Sequence, residues 1–193
     1  MRLVSALLAV VLLAIFSSCS GDAGNATPGP VPPEPQALPV IALTGASFED
    51  GGALPAEYSC ESQTAKSPNL LWHGVPETSK SIVVWVSDSD AQNFVHWLVF
   101  DIPPSESGLT AGISEEPVLA DGAHQGKNSF GRFGYGPPCP PEGLTHHYVF
   151  NVYALDATLG LTPGAAATDV SAALRGHIIG YGKLTATHVR PKS

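Results

Sequence analysis

Basic side chains are scarce in this chain: 9 lysines and arginines stand against 17 aspartates and glutamates, a net charge of -8 with the histidines neutral. Phosphate backbones are held chiefly by Lys and Arg, so nucleic acid is excluded as the main partner. A small anion in a local pocket is not excluded. Two catalytic signatures are also missing. There is no His-Glu-x-x-His helix for a zinc hydrolase and no Gly-x-Ser-x-Gly nucleophile elbow. No internal repeat is present, and after the first 18 residues no apolar run approaches the roughly 20 residues that span a bilayer.

Cysteine is sparse too, at 3 residues, and its placement is informative. Met1-Arg2, an apolar run from Leu3 to Phe16 and the small residues Ser17-Ser18 lead to Cys19. This is the layout of a secretory signal. A cysteine directly after it resembles a lipoprotein cleavage site, so residues 1–18 read as a signal peptide and Cys19 as the lipidated amino terminus. A secretory signal cleaved elsewhere, or an uncleaved anchor, is the alternative. Residues 19–39 carry six prolines and few large apolar side chains. That composition buries too little surface to fold and reads as an extended, semi-rigid tether. The expected location is the bacterial cell envelope, with the protein anchored to a membrane and facing the periplasm or the cell surface. In that oxidising space the remaining Cys60 and Cys139 read as one disulfide, with two free thiols as the alternative.

Residues 40–193 have the length of one ordinary domain. The apolar runs at 81–87, 95–102, 148–155 and 177–186 read as strands, with weaker ones at 41–43 and 70–72. Ser81–Ser87 is apolar on both alternate sets, so both its faces should be buried. One helix is expected, capped by Thr168 or Asp169, apolar at Val170, Ala173 and Leu174, and stopped by Gly176. Many strands, Gly/Pro-rich turns and few helices give a mainly β fold, a sandwich or barrel-like sheet with short peripheral helices.

Two clusters stand out as candidate chemistry. Tyr135-Gly136-Pro137-Pro138-Cys139-Pro140-Pro141 must be a stiff loop, because proline fixes φ and has no N–H to donate. It leads within a few residues to His146-His147-Tyr148 at the mouth of a strand. Asp88-Ser89-Asp90 ends the buried strand before it, and His96 begins the next. Taken singly, each has a bland reading: aspartates as turn formers, a histidine or tyrosine as a structural residue.

Together they resemble something specific. Ser67-Pro68-Asn69-Leu70-Leu71-Trp72, Val75-Pro76, Ser81 to Ala91, His96-Trp97, Tyr135 to Pro141 and His146 to Asp156 are similar to the phosphatidylethanolamine-binding protein family, in particular its bacterial Raf kinase inhibitor-like branch. The resemblance implies a two-sheet β-sandwich with a few peripheral helices. It also implies an anion-binding cavity at one edge, with Asp88, Asp90, His96, Tyr135, Gly136, Pro138, His146 and Tyr148 as ligand-binding residues. The family's Asp-Pro-Asp-Ala-Pro motif has lost both prolines here, at Ser89 and Gln92, and the arginine of its His-Arg-Tyr is His147.

The function this implies is binding of a small anion, a phosphate or phospholipid head group, with no cofactor and no metal. Asp88 would orient a histidine, and His96 and His146, when protonated, and Tyr148 would donate to the anion. Modulation of a kinase or protease by an unknown protein target is a further implication. The alternative is a hydrolase or lyase using the same Asp/His/Tyr pocket, or a metal held by His96, His146 and the aspartates.

Overall fold

The computed structural model describes residues 29–192. The expected signal peptide and Cys19 lie outside them. Eight strands run in chain order: β1 (Ala42–Gly45), β2 (Leu70–His73), β3 (Ser81–Asp88), β4 (Phe94–Ile102), β5 (Gly108–Leu109), β6 (His124–Gln125), β7 (Thr145–Leu155) and β8 (Ile178–Val189). A single 3-10 turn (Ala56–Tyr58) and one helix, α1 (Ala167–Leu174), complete the elements among the described residues. The strands pair into a three-stranded sheet, β1-β2-β5, and a five-stranded sheet, β6-β4-β3-β7-β8. This is the two-sheet sandwich that the sequence implies.

β3 is central in the larger sheet, and all eight of its residues are buried. Alternation divides them between two cores. Ile82, Val84 and Val86 meet Trp72, Phe150 and Leu184 between the sheets. Val83 and Trp85 face outward and are covered by Val170 and Leu174 of α1. The helix begins two or three residues earlier than Thr168 or Asp169 would set it. Ala166 occupies the N-cap with no side-chain bond, because the preceding turn (Ala165 N–H to Thr162 O, 3.1 Å) already aims the chain into the helix. Asp169 instead sits in the first turn, where its charge suits the helix dipole. Gly176, at φ +83°, ends the helix as expected.

Two features of the larger sheet position the site. β7 starts at Thr145, three residues before the expected start, so both histidines lie on the strand and not in the loop. Asp88 is flanked in register by Phe94 of β4 and Tyr148 of β7. The tight β3–β4 turn places Gln92 (φ +55°) and Asn93 (φ +58°) in the left-handed region. A proline at Gln92, with φ fixed near -65°, could not occupy this turn. The motif's missing proline therefore goes with a particular turn geometry.

The segment 29–39 is laid along the outer face of this sheet. Pro33 O accepts from Tyr153 Oη at 2.9 Å and Glu34 pairs with Lys183 at 2.8 Å. Pro39 O accepts from Tyr181 N–H at 3.0 Å. This half of the expected tether is a strap on the domain.

Candidate functional site

The end of β3 and the starts of β4 and β7 meet at one end of the sandwich, where a hollow of about 300 Å³ opens. Asp88, Ala91, Phe94, His96, Phe130, Cys139, Pro140, Pro141, His146 and Tyr148 line it. Four of the eight ligand-binding residues expected from the sequence therefore converge here: Asp88, His96, His146 and Tyr148. The other four support the hollow from outside its lining.

Asp88 is 3% exposed and fully engaged. Its Oδ1 accepts from the N–H groups of Asp90 (2.9 Å) and Ala91 (3.2 Å), locking the turn. Its Oδ2 accepts from Nδ1 of His146 at 2.7 Å. A carboxylate can only accept here, so His146 carries its proton on Nδ1 and offers Nε2 to the hollow. This is the orienting role expected of Asp88.

His96 is held differently. Its Nδ1 donates to Gly136 O at 2.7 Å, again leaving Nε2 free. Its ring meets Tyr148 (5.2 Å), Phe94 (5.3 Å) and Phe130 (5.6 Å) edge to face. Burial disfavours the imidazolium and pulls the pKa below the ordinary histidine value, more strongly than the Gly136 carbonyl and Asp88 raise it. His96 is thus neutral, and its Nε2 is an acceptor. Donation from His96 to an anion, as expected for the protonated ring, would require a proton that burial disfavours.

The Tyr148 hydroxyl is buried with no hydrogen-bond partner among the described residues. Burial, then the nearby Asp88 charge, pushes its pKa well above the ordinary phenol value. Asp88 lies close enough to act on the hydroxyl, but its oxygens already hold the turn and His146, and the hydroxyl has no hydrogen bond of good geometry. It stays protonated and is a free donor at the floor of the hollow.

The supporting residues explain how the walls are fixed. Asp90 turns away to the outer face, where its Oδ2 accepts from the backbone N–H (2.6 Å) and Nδ1 (2.9 Å) of His147. Tyr135 is buried and donates to Tyr58 O at 3.0 Å. Gly136 carries the carbonyl that holds His96, and a side chain there would strike the Phe130 ring, with a Cβ 2.3 Å from Cε2. Pro138 O accepts from Cys60 N–H at 2.9 Å. Beside it the Cys60–Cys139 disulfide is formed, with Cα atoms 5.3 Å apart. It closes a long loop across 79 residues of sequence, a constraint worth about 4 kcal/mol by chain entropy alone.

The residues that sequence reasoning did not include are Ala91, Phe94, Phe130, Pro140 and Pro141. Phe130 carried a readable signal: a large aromatic in the polar, glycine-containing stretch Lys127-Asn128-Ser129-Phe130-Gly131-Arg132, left 48% exposed by the fold. Among the described residues no group of three or more His, Cys, Asp or Glu is arranged to hold a metal ion, so His96, His146 and Asp88 do not form one. No helix among them is long and apolar enough to cross a membrane.

Comparisons with known proteins agree with this architecture. The chain is 42% identical over 146 residues to a UPF0098 protein of Methanothermobacter thermautotrophicus, covering 75% of this chain and 95% of that protein. It is 34% identical over 192 residues to LppC of Mycobacterium tuberculosis, whose name classes it among lipoproteins, with 92% of each covered. Two crystal structures superpose closely. The phosphatidylethanolamine-binding protein homolog CT736 of Chlamydia trachomatis has a TM-score of 0.70 at 34% identity, over 78% of this chain and 98% of that one. YbcL of E. coli, described as a new member of the mammalian PEBP family, has a TM-score of 0.71 at 29% identity, over 79% and 99%. Residues 44–189 match the sequence profile named Phosphatidylethanolamine-binding protein, and the chain belongs to that family.

Proposed function

We propose that this protein is a membrane-anchored envelope protein that binds a small phosphate-bearing ligand, of the phosphoethanolamine head-group type, in the hollow between β3, β4 and β7. One observation carries the reading: a buried, unpartnered Tyr148 hydroxyl stands beside a histidine oriented by Asp88, at the floor of an apolar hollow. The hydroxyl donates to a phosphate oxygen, and Nε2 of His146 donates to a second when the ring is protonated. Neutral His96 offers the complementary acceptor. Its Nε2 suits an ammonium or a phosphate hydroxyl, and the faces of Phe94 and Phe130 suit the ammonium as well. The anchoring half of the reading rests on the Cys19 signature and on the similarity to LppC.

The same groups favour holding over turning over. Tyr148 stays protonated, and both Asp88 oxygens are engaged in holding the turn and His146. Calorimetric titration with O-phosphoethanolamine and with inorganic phosphate tests the proposal. Both should bind, and Tyr148→Phe should weaken binding about tenfold, the worth of one hydrogen bond to a charged group. Equal heats from the parent and Tyr148→Phe would overturn it.

A further inference from the structure

The chain enters the described fold beside the mouth of the hollow. Gly29 N–H donates to Gln92 O at 2.9 Å. The position admits only glycine, since a Cβ would lie 2.2 Å from Asn93 O. Gln92 and Asn93 sit between Ala91 and Phe94, which line the hollow. From there the strap runs back over Tyr153, Lys183 and Tyr181 into β1, pinned by the bonds described above. Nine residues separate Gly29 from Cys19. Even fully extended they reach at most about 35 Å.

The mouth itself has the surface chemistry of a membrane contact. Phe130, in the lining, is 48% exposed, and Leu144 is 54% exposed in the turn that follows the lining residue Pro141. Arg132 lies over the Phe130 ring, its guanidinium carbon 5.4 Å from the centroid. Lys192 packs its stem against Gly143, and Arg190 O accepts from Gly143 N–H at 2.8 Å. Arg190 pairs with Glu142 in that turn at 3.5 Å, so Arg132 and Lys192 are the two cations that flank this rim. Apolar tips backed by cations fit the interface of an anionic leaflet.

We propose that the strap 29–39 holds the mouth of the hollow face down on the bilayer that carries the Cys19 anchor, so that the occupant is a head group of that same leaflet. The inference rests on the lipid-anchor and head-group reading above and adds orientation and source to it. A strap ending at the far end of the sandwich would have let the hollow face away from the membrane. Because the anchor confines the domain to within a few nanometres of the surface, weak rim contacts suffice to set its orientation.

The test uses the acylated full chain in vesicles of phosphatidylglycerol and phosphatidylethanolamine carrying brominated acyl chains. Tryptophan is placed at the rim by Phe130→Trp or Leu144→Trp, and away from it by Leu71→Trp, 41% exposed on the smaller sheet. The native Trp72, Trp85 and Trp97 are buried and give a constant background. Emission from the rim positions should fall about twofold relative to Leu71→Trp, because rim side chains that enter the headgroup boundary come within reach of the bromines. Gly29→Val, which dislodges the strap, should abolish that difference while leaving the thermal midpoint nearly unchanged. Equal quenching at all three positions, no quenching at any, or a mature protein whose mass shows no acyl chains on Cys19 would each overturn the proposal. Calorimetry with O-phosphoethanolamine on the parent and on Leu144→Trp in detergent separates the two readings. Binding without rim quenching refutes the orientation alone, and rim quenching without binding refutes the occupied hollow.

Discussion

Two aspartate–histidine pairs, made by Asp88 and Asp90 with the adjacent His146 and His147, do opposite things on this protein. Asp88 and His146 meet at 2.7 Å on the inner face of the larger sheet, with side chains 4% and 15% exposed. Asp90 and His147 meet at 2.9 Å on the outer face, 41% and 51% exposed. The side chains of successive strand residues point to opposite faces, so His146 and His147 cannot share a site. The inner pair is desolvated and tied to the backbone, and it presents one histidine nitrogen to a hollow. The outer pair is screened by solvent and presents nothing to the hollow. Identical chemistry becomes a candidate binding device or a surface tie according to which way the strand turns it.

Stability should separate the pairs most sharply. Asp88→Ala leaves two backbone N–H groups and the His146 N–H without their buried acceptor, and should cost about 2–4 kcal/mol. Asp90→Ala should cost less than about 1 kcal/mol, as exposed pairs do. Denaturant unfolding reads both, and similar losses would mean that burial is not what distinguishes them. Binding comes next. His146→Ala should weaken O-phosphoethanolamine at least about tenfold, whereas His147→Ala should change it by less than about twofold. A large effect at His147 would bring the outer face into the site.

The sequence carried the inner pair well and the outer pair poorly, for a physical reason. β3 could be read because both of its alternate sets are apolar, and its end therefore had to be where polar groups surface. The orienting role of Asp88 was implied by the family resemblance, although the division of the two carboxylates between faces was not. Asp88 and Asp90 are on one side of an ideal extended strand, but the strand stops at Asp88 and the turn bends Asp90 away. His147 stands in the place of an arginine and still provides the partner for Asp90. Phe130 and Phe94 were not assigned because the hollow's walls come from loop packing that has no periodicity. The strap was hidden by its own composition. It has few apolar side chains to bury, and it docks largely through Pro33 and Pro39 carbonyls. The legible signal was on the receiving side, in Tyr153 and Tyr181, large aromatics on the outward face of β7 and β8.

His96 sharpens the comparison from within the hollow, because it is a buried histidine with a carbonyl and not a carboxylate as its tie. Its folded pKa lies below the unfolded value near 6.5. The unfolded chain therefore takes up a proton that the folded chain refuses as pH falls below about 6.5. Stability from this group is complete above that pH and declines below it, by at most about 1.4 kcal/mol per pH unit, until the folded value is reached. His188, also buried and lowered, acts in the same direction. The parent minus His96→Asn difference isolates the first of them, since an asparagine amide can replace the Nδ1 donor to Gly136 O. Unfolding free energies at pH 7.5 and 5.5 should diverge less in His96→Asn than in the parent, and an equal slope would show that His96 protonates freely in the fold.

The smallest expected effect belongs to the outer pair. Burial nudges the Asp90 carboxyl upward, but the side-chain and backbone hydrogen bonds from His147 outweigh it, and the net pKa lies below the ordinary aspartate value. For a depressed carboxylate the stabilisation is present above the unfolded pKa, near 3.9, and disappears as pH falls through the folded one. Solvent screening reduces its worth to a few tenths of a kcal/mol. Acid unfolding of Asp90→Asn should therefore begin at a slightly higher pH than that of the parent in low salt. The gap should close in 1 M salt, where the screening length is about 3 Å. A gap that survives high salt would mean that the tie acts through its short hydrogen bond to the His147 backbone and not through charge, which would make Asp90 a structural clamp on the first residues of β7 and bring its role closer to that of Asp88 than its exposure suggests.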